Sequence, residues 1–276
     1  MFTFNCKGRI LTINKPIVMG IINVSPESFY EQSTAKTTAA VLLQAEKMLN
    51  EGAAILDIGG QSTKPGSENI GPNEEMARVI PAIEAIAKQF PESFISIDTY
   101  HAEVAAAAVK AGAVIVNDIS AGTLDSNMIG TVASLNVPYV VMHSKGTPAT
   151  MQQHTNYEDM LLEIMEFFIK KTNECSKAGI KDVIIDPGFG FAKNIEQNFT
   201  LLKNISIFKI LQKPLLAGLS RKSTIYKTLG ISPEEALNGT TVLNTIAIQN
   251  GANILRVHDV KEAVETINLL HKYNNV

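Results

Sequence analysis

The stretch FISIDTYHAEVAAAAVKAGAVIVND (residues 94–118) decides the fold, because it contains two apolar runs separated by one helical segment. The runs Phe94–Ile97 and Val114–Val116 are rich in Val and Ile, as is typical of strands that are buried on both faces. Ala102–Ala111 has apolar residues at helical spacing, and Gly112 after it suits a helix C-terminus. The stretch therefore predicts a strand, a helix and a second strand parallel to the first.

The same unit recurs along the whole chain. The other predicted strands are Ile17–Ile22, Ala54–Ile58, Tyr139–Met142, Val183–Ile185, Leu215–Leu219 and Asn253–Val257. The other clear helices are Thr38–Asn50, Asn73–Gln89, Tyr157–Ala178 and Pro233–Asn250, and Gly52, Gly179 and Gly251 suit helix ends. Eight strands that alternate with helices predict a closed α/β structure, the (β/α)₈ TIM barrel. An open doubly wound sheet is the alternative, but no glycine fingerprint follows the first strand.

The first residues follow a different pattern. Phe2–Ile13 contains two short apolar segments on either side of Cys6-Lys7-Gly8, which predicts an N-terminal β-hairpin that covers the bottom of the barrel. No linker, low-complexity tract or strong internal repeat divides the chain. We therefore expect residues 1–276 to form a single domain.

Composition excludes several classes of protein. The 276 residues are 45% hydrophobic and 18% charged, which is enough to bury a sizeable core. A net charge of -3 gives no basic field, so no nucleic-acid partner is expected. Cys6 and Cys175 lie far apart and predict free thiols in a reducing cytoplasm. No signal peptide and no apolar run of membrane-spanning length is evident, so we expect no membrane association.

Polar residues lie at or just after the end of nearly every predicted strand. In a TIM barrel these ends meet at one rim, where active sites are built. A buried Asp or Asn is costly unless it is paired or binds a ligand. The residues that share this position are Asn23, Asp57, Thr63, Lys64, Asp98, Asn117, Asp118, His143, Asp186, Arg221, Lys222, Ser223, Arg256 and His258. Thr99 and Asp118 are the members for which we expect a purely structural role, since a lone polar residue after a strand is commonly a helix cap.

The last two predicted strands favour an anionic ligand. LLAGLSRKS (215–223) places two cations and two hydroxyls directly after a buried strand, and RVHDV (256–260) adds Arg256 and His258. The loops after strands 7 and 8 are the usual phosphate site of a TIM barrel. Arginine offers a planar fork for phosphate oxygens, so a phosphorylated or diphosphate ligand is predicted.

Asp98, Asn117 and Asp186 favour a flat heterocycle. Two carboxylates and an amide can accept hydrogen bonds from adjacent N–H donors. Two nearby carboxylates are equally compatible with acid–base catalysis or a metal site, and spacing does not decide between these. The loops after strands 1 and 2, including Ser25–Ser28 and residues 59–71, are long and turn-rich and are candidates for mobile lids.

A series of longer blocks resembles one enzyme family. The blocks are VMGIINVSPESF (18–29), DIGGQSTKPGSE (57–68), ISIDTY (95–100), VNDISAG (116–122), MHSKGTPATMQ (142–152), IIDPGFGFAKNIEQN (184–198), LAGLSRKS (216–223) and GTTVLNTIAIQNGANILRVHDV (239–260). Their order and length resemble the dihydropteroate synthases over about residues 17–260. That family condenses 6-hydroxymethyl-7,8-dihydropterin diphosphate with 4-aminobenzoate in folate biosynthesis, releasing pyrophosphate. The resemblance also implies Mg²⁺ as cofactor, a homodimer and competition by sulfonamides.

The resemblance implies a role for each matching residue. Asp98, Asn117, Asp186 and Lys222 would hold the pterin ring, with Ile119 and Met142 against its faces and Gly218 beneath it. Asn23 would bind Mg²⁺, and Arg256 and His258 would bind the diphosphate. Thr63, Pro65, Phe191, Arg221 and Ser223 would form the 4-aminobenzoate pocket, and Lys64 would help to anchor the carboxylate of 4-aminobenzoate or the diphosphate. The catalytic set would be Asp98, Lys222, Arg256 and His258.

Two alternatives remain at the level of sequence. Another pterin-binding barrel, such as a methyltransferase domain, would share Asp98, Asn117 and Asp186 but would not need SRKS and RVHDV. A catalytically silent barrel would bind pterin without turnover. The chain also departs from the family pattern, because Lys64 stands where arginine is usual and offers a point charge instead of a fork.

Overall fold

Eight parallel strands form the centre of the molecule. A computed structural model of the chain describes residues 1–24, 34–61 and 70–276, with the side chains of residues 34–37 left aside. The strands are β3 (Ile17–Asn23), β4 (Ile55–Gly59), β5 (Phe94–Asp98), β6 (Ile115–Asp118), β7 (Tyr139–Met142), β8 (Val183–Asp186), β9 (Leu216–Ala217) and β10 (Ile254–Val257). Each pairs with its neighbours in the order β8-β7-β6-β5-β4-β3-β10-β9, and a parallel bridge between Ile185 and Leu215 joins the two ends. The predicted TIM barrel is confirmed.

Helices lie around this ring between successive strands. They are α1 (Thr34–Asn50), α2 (Pro72–Gln89), α3 (Ala102–Ala111), α4 (Met128–Leu135), α5 (Met160–Ala178), α6 (Ile195–Asn204), α7 (Ser223–Leu229), α8 (Leu237–Gln249) and α9 (Val260–Tyr273). The predicted glycines do follow helix ends, and Gly112 and Gly179 are C-caps with φ of 128° and 94°. An L side chain rarely adopts that backbone conformation, which explains why glycine ends these helices.

The N-terminal hairpin is present and closes the bottom of the barrel. Strands β1 (Phe2–Cys6) and β2 (Arg9–Ile13) pair antiparallel, and Lys7 and Gly8 form the turn with positive φ angles. Phe4 and Leu11 pack in one buried cluster with residues at the amino ends of the barrel strands, such as Ile55. The hairpin therefore keeps water out of the barrel interior from below.

Several predicted boundaries differ from the structure, and the helix predicted from Thr38, for example, begins at Thr34. The strand predicted over Leu215–Leu219 is limited to Leu216–Ala217, because the chain then turns and Arg221 adopts a φ of 54°. The helix predicted from Tyr157 begins at Met160, since the Asp159 side chain accepts hydrogen bonds from the first turn. The helix predicted from Pro233 begins at Leu237.

Candidate active site

The carboxyl ends of the strands bring the predicted polar residues together at the rim. Arg256 of β10 reaches across the barrel, with Nε 2.6 Å from Asp57 Oδ2 and Nη2 2.5 Å from Asp98 Oδ2. Asn117 of β6 donates from Nδ2 to the same Asp57 oxygen at 3.0 Å. Side chains from β4, β5, β6 and β10 are therefore joined in one buried network around a single guanidinium.

Asp98 and Asn23 lie on the same side of this network. In register, Gly59 of β4 pairs with Asn23 on one side and with Asp98 on the other. A Cβ placed on Gly59 would lie 3.7 Å from Asn23 Oδ1 and 3.8 Å from Asp98 Oδ2, so both oxygens border the space above this glycine. Asn23 is exposed, whereas Asp98 is buried. Burial raises the pKa of Asp98, and the adjacent Arg256 acts against this rise.

Asp186 and Lys222 form the opposite side of the rim. Asp186 Oδ1 accepts a hydrogen bond from the Gly188 backbone N–H at 2.8 Å, and the carboxylate is buried. Lys222 Nζ donates to the Phe189 carbonyl at 2.5 Å and lies 4.8 Å from the centre of the Phe191 ring. Burial lowers the pKa of Lys222 to about 8, an effect that Asp186 opposes. Burial likewise raises the pKa of Asp186, and Lys222 opposes that rise.

A small cluster of apolar side chains, called the wall below, lies beside these charged groups. Ile119, Met142 and Phe191 belong to one small buried cluster, together with Tyr100, Met151 and Ala192. Met142 is the last residue of β7, and its strand partner in register is Asp186. The wall therefore lies next to carboxylates, as expected for a site that takes a flat ring with polar edges.

Gly218 lies between the two cations of the rim. A Cβ added there would be 3.6 Å from Lys222 Nζ and 4.0 Å from Arg256 Cβ. The glycine leaves this part of the mouth open. Ser223, the first residue of α7, is half-buried and follows Lys222 directly.

His258 is exposed at the rim. Its Nδ1 is 3.0 Å from Ser220 Oγ, and this same Oγ accepts a hydrogen bond from the His258 backbone N–H at 3.2 Å. Ser220 Oγ can accept the backbone bond and also donate its hydrogen to Nδ1, and in that tautomer the ring proton of His258 is on Nε2. Nε2–H can then donate to an anion.

Arg221 is held by its own neighbours. Its guanidinium binds both oxygens of Asp259, at 2.9 and 2.8 Å, and also donates to the carbonyls of Pro233 and Glu234. Four of the five guanidinium N–H bonds are used in this way. A direct role of Arg221 in substrate binding therefore stays a prediction, whereas its structural role at the start of α7 is visible. Thr63, Lys64 and Pro65 lie outside the described residues, as do Ser25–Ser28 and residues 62–69 of the second candidate lid loop.

Asp118 and Thr99, for which a structural role is expected, both have side chains that are bonded within the protein. Asp118 accepts hydrogen bonds from Ser120 N, Ser120 Oγ, Gly122 N and the Tyr139 hydroxyl. These bonds satisfy the carboxylate completely and fix the turn after β6. Thr99 bonds to Glu75 and to the His101 backbone.

A buried Lys193 supports the rim and was not singled out from the sequence. Its ammonium donates to the carbonyls of Gly188 and Phe191 and to His143 Nδ1, at 3.0–3.1 Å. Burial, helped by Lys193, lowers the pKa of His143 to about 2, so the ring is neutral and Nδ1 accepts. Lys193 thereby fixes the loop that carries Phe191. The signal in the sequence is a lysine two residues after the aromatic and glycine-rich run PGFGF.

The fold and the site together define a TIM barrel whose carboxyl rim carries acidic, cationic and apolar side chains, an arrangement that suits a flat polar ring and an anion. The family model described as pterin binding enzyme matches residues 19–258. The dihydropteroate synthase of Escherichia coli strain K12 is 41% identical over 266 residues, covering 96% of this chain and 94% of the relative.

Two solved structures are similar along their whole length. One is the dihydropteroate synthase of Xanthomonas albilineans with 4-aminobenzoic acid, with a TM-score of 0.93, 39% identity and coverage of 99% and 98% of the two chains. The other is that of Yersinia pestis in a sulfonamide drug complex, with a TM-score of 0.93, 36% identity and complete coverage of both chains. The chain belongs to the dihydropteroate synthase family of pterin-binding enzymes. The predicted function in folate biosynthesis is confirmed at this level.

Proposed function

We propose that the rim site joins 6-hydroxymethyl-7,8-dihydropterin diphosphate to 4-aminobenzoate, giving 7,8-dihydropteroate and pyrophosphate. The observation that carries the proposal is the buried network in which Arg256 lies between acidic groups, with Asp186 and Lys222 across the mouth. It offers acceptors for a ring and cations for a diphosphate at one rim of the barrel. Membership of the family supports the same reaction.

The ring would bind on the side of Asp98, Asn117 and Asp186. These residues are buried and their oxygens can accept hydrogen bonds from ring N–H groups. Asp186 Oδ1 is held by Gly188, so the orientation of its carboxylate is fixed before the ring arrives. Ile119 and Met142 would pack against the ring faces, and Gly218 would let the ring approach the strand.

The diphosphate would bind to Arg256 and His258. Within the described residues, Arg256 uses Nε and Nη2 for its bonds to Asp57 and Asp98, so its Nη1 donors face no protein acceptor. His258 adds Nε2–H from the exposed rim. As the C–O bond to the diphosphate breaks, these donors stabilise the negative charge that develops on the leaving oxygen.

The carbon that loses the diphosphate becomes electron-poor, and the nearby Asp98 carboxylate stabilises the developing positive charge. The amine of 4-aminobenzoate attacks this carbon, a C–N bond forms, and the amine then loses one proton. A weakly basic aromatic amine needs little help from a base, so we assign no general base. Lys222 would hold the ring and keep its cation beside Asp186.

Phe191, Lys222 and Ser223 would form the described part of the 4-aminobenzoate pocket, with Thr63, Lys64 and Pro65 completing it. The Lys222 ammonium over the Phe191 ring presents one aromatic face and one cation to an aromatic carboxylate. Arg221 would contribute through its one remaining N–H or by fixing the turn before Ser223. A sulfonamide would compete for the same pocket, as the Yersinia pestis complex suggests.

We propose Mg²⁺ as the cofactor, with Asn23 as its protein ligand. In the described part of the chain, no three His, Cys, Asp or Glu side chains form a metal cluster. Mg²⁺ commonly uses one or two protein oxygens and completes its shell with water and phosphate, so the amide oxygen of Asn23 fits. When bound, Mg²⁺ would neutralise charge on the diphosphate.

Pyrophosphate release tests the proposed function. The assay supplies the pterin diphosphate, 4-aminobenzoate and Mg²⁺ together and then omits each in turn. We expect release, with one dihydropteroate per pyrophosphate, only when all three are present. Binding of the pterin diphosphate without release under any condition would instead identify a silent barrel, and release without Mg²⁺ would refute the cofactor alone.

We also propose a cytoplasmic homodimer. Both cysteines are buried free thiols, which suits a reducing compartment. No helix in the described ranges is long and apolar enough to cross a membrane. Helix α9 exposes Leu269 and Tyr273, at 73% and 70% of their surfaces, and we propose it as the contact face.

Light scattering of Leu269→Glu tests this face. We expect the variant to be a monomer. A second group of exposed apolar residues, including Leu229 and Val242, lies on the adjacent helices α7 and α8. If the dimer persists in Leu269→Glu but is lost in Leu229→Glu, the interface is formed by α7 and α8 and not by α9.

A further inference from the structure

Asp57 is an interior carboxylate to which the proposed reaction gives no role. It is the third residue of β4, fully buried, and level in register with Ile21 of β3 and Ser96 of β5. Its Oδ2 accepts two hydrogen bonds, from Arg256 Nε at 2.6 Å and from Asn117 Nδ2 at 3.0 Å. One oxygen therefore connects three strands of the barrel.

The two partners of Asp57 serve different parts of the substrate. Asn117 is on the side of the ring, and Arg256 is on the side of the diphosphate. Asp57 and Asp98 hold the guanidinium from two directions, through Nε and Nη2, and so fix its plane. A long side chain that is fixed in advance loses less conformational entropy when the ligand binds.

Stability alone does not explain a carboxylate at this position. Asp57 Oδ1 is buried and has no hydrogen-bond partner in the described part of the protein. A buried ion pair usually gains little over apolar residues of the same volume, and an unsatisfied buried oxygen adds a cost. The other oxygen, Asp57 Oδ2, binds Arg256 from the diphosphate side of the site and Asn117 from the ring side. This double contact explains why a carboxylate is needed at position 57.

We infer that Asp57 is a positioning residue for the reaction, which sets Asn117 and Arg256 at the spacing that one pterin diphosphate requires. The inference rests on the proposed function, because that function assigns the ring to one partner and the diphosphate to the other. Asp57 acts through these two side chains without touching the reacting atoms.

The test compares binding of two fragments of the substrate by calorimetry. The fragments are 6-hydroxymethylpterin, which lacks the diphosphate, and inorganic pyrophosphate with Mg²⁺. We expect Asn117→Ala to reduce only the affinity for 6-hydroxymethylpterin and Arg256→Lys to reduce only the affinity for pyrophosphate. Asp57→Asn should weaken both, each by about 10- to 100-fold, because one charged acceptor serves both donors.

A double-mutant comparison distinguishes a positioning role of Asp57 from a general destabilisation of the barrel. In the Arg256→Lys background, Asp57→Asn should reduce pyrophosphate affinity much less than it does alone. Asp57→Glu keeps the charge but moves it by one methylene group, and we expect it to fail like Asp57→Asn. Ser96→Ala is the matched control, since Ser96 lies in the same layer, is fully buried and has a hydroxyl without a partner in the described residues.

Each outcome decides the inference. Wild-type affinity of Asp57→Asn for both fragments would overturn it, and so would losses that simply add to those of the partner substitutions. A loss of equal size in Ser96→Ala would also overturn it. If neither Asn117→Ala nor Arg256→Lys changed the binding of its fragment, the proposed function itself would fail, whatever Asp57 does.

Discussion

The two ends of the barrel are formed by the same eight strands, but one end is lined by apolar side chains and the other by charged ones. At the bottom, Phe4 and Leu11 of the hairpin pack on Ile55 and other apolar residues in one buried cluster. At the rim, Asp57, Asp98 and Asp186 surround Arg256, and one buried carboxylate oxygen lacks a partner in the described part of the chain. The bottom contributes stability, whereas the rim holds charges at a cost in stability and thereby prepares a binding site.

If this division is real, the largest effect on stability should come from the bottom. Phe4→Ala removes a side chain that is 3% exposed from the cluster under the barrel. We expect the free energy of unfolding to fall by about 3–5 kcal/mol, because a buried phenylalanine is replaced by a cavity. Chemical denaturation measures this change. At temperatures where the variant is folded, kcat and KM should equal those of the wild type, and a changed KM would contradict the division.

The largest effect on catalysis should come from Arg256→Lys at the rim. Lysine keeps the charge but cannot bridge Asp57 and Asp98 and also reach the diphosphate. We expect kcat to fall about 100-fold or more, as for the loss of one donor to a developing oxyanion. Arg9→Lys is the matched control at the bottom, where Arg9 donates to the carbonyls of Pro91 and Ser93. Loss of catalysis in the control would show that the effect is not specific to the rim.

The sequence predicted the barrel because each strand is a compact apolar run that ends in a polar residue. It did not predict α4, α6 and α7, which are short and, in the case of α7, start inside the SRKS motif. The ring of Asp98, Asn117, Asp186 and Arg256 followed from strand ends meeting at one rim. The bridge from Arg256 to Asp57 could not be predicted, because 199 positions separate the residues and only side-chain direction brings them together.

A smaller effect on binding is expected at β8, which ends at Asp186 and is directly preceded by Asp182. Asp186→Ala removes the carboxylate at the rim and should weaken 6-hydroxymethylpterin by about 10- to 100-fold, as for a lost charged hydrogen bond. Asp182→Ala removes the acceptor of the Asn5 backbone N–H at the other end. Calorimetry should find normal pterin affinity in Asp182→Ala, and normal affinity in Asp186→Ala would refute the ring assignment.

The smallest effect is expected from pH. Lys222 has a pKa of about 8, lowered by burial, so it is charged below that pH and neutral above it. Because charged donors bind more strongly than neutral ones, kcat/KM for the pterin diphosphate should fall about 3- to 10-fold as the pH rises through 8. A thermal melt at each pH excludes unfolding as the cause. A profile that stays flat to pH 10 would mean that the charge on Lys222 is not used.

A crystal structure of the protein with the pterin diphosphate and Mg²⁺, without 4-aminobenzoate, tests the central claim most directly. We expect the ring to be hydrogen-bonded to Asp98, Asn117 and Asp186, with the diphosphate on Arg256 and His258 and the metal on Asn23. Arg256 should keep its bond to Asp57. A ligand bound elsewhere, or a diphosphate that does not contact Arg256, would contradict the account.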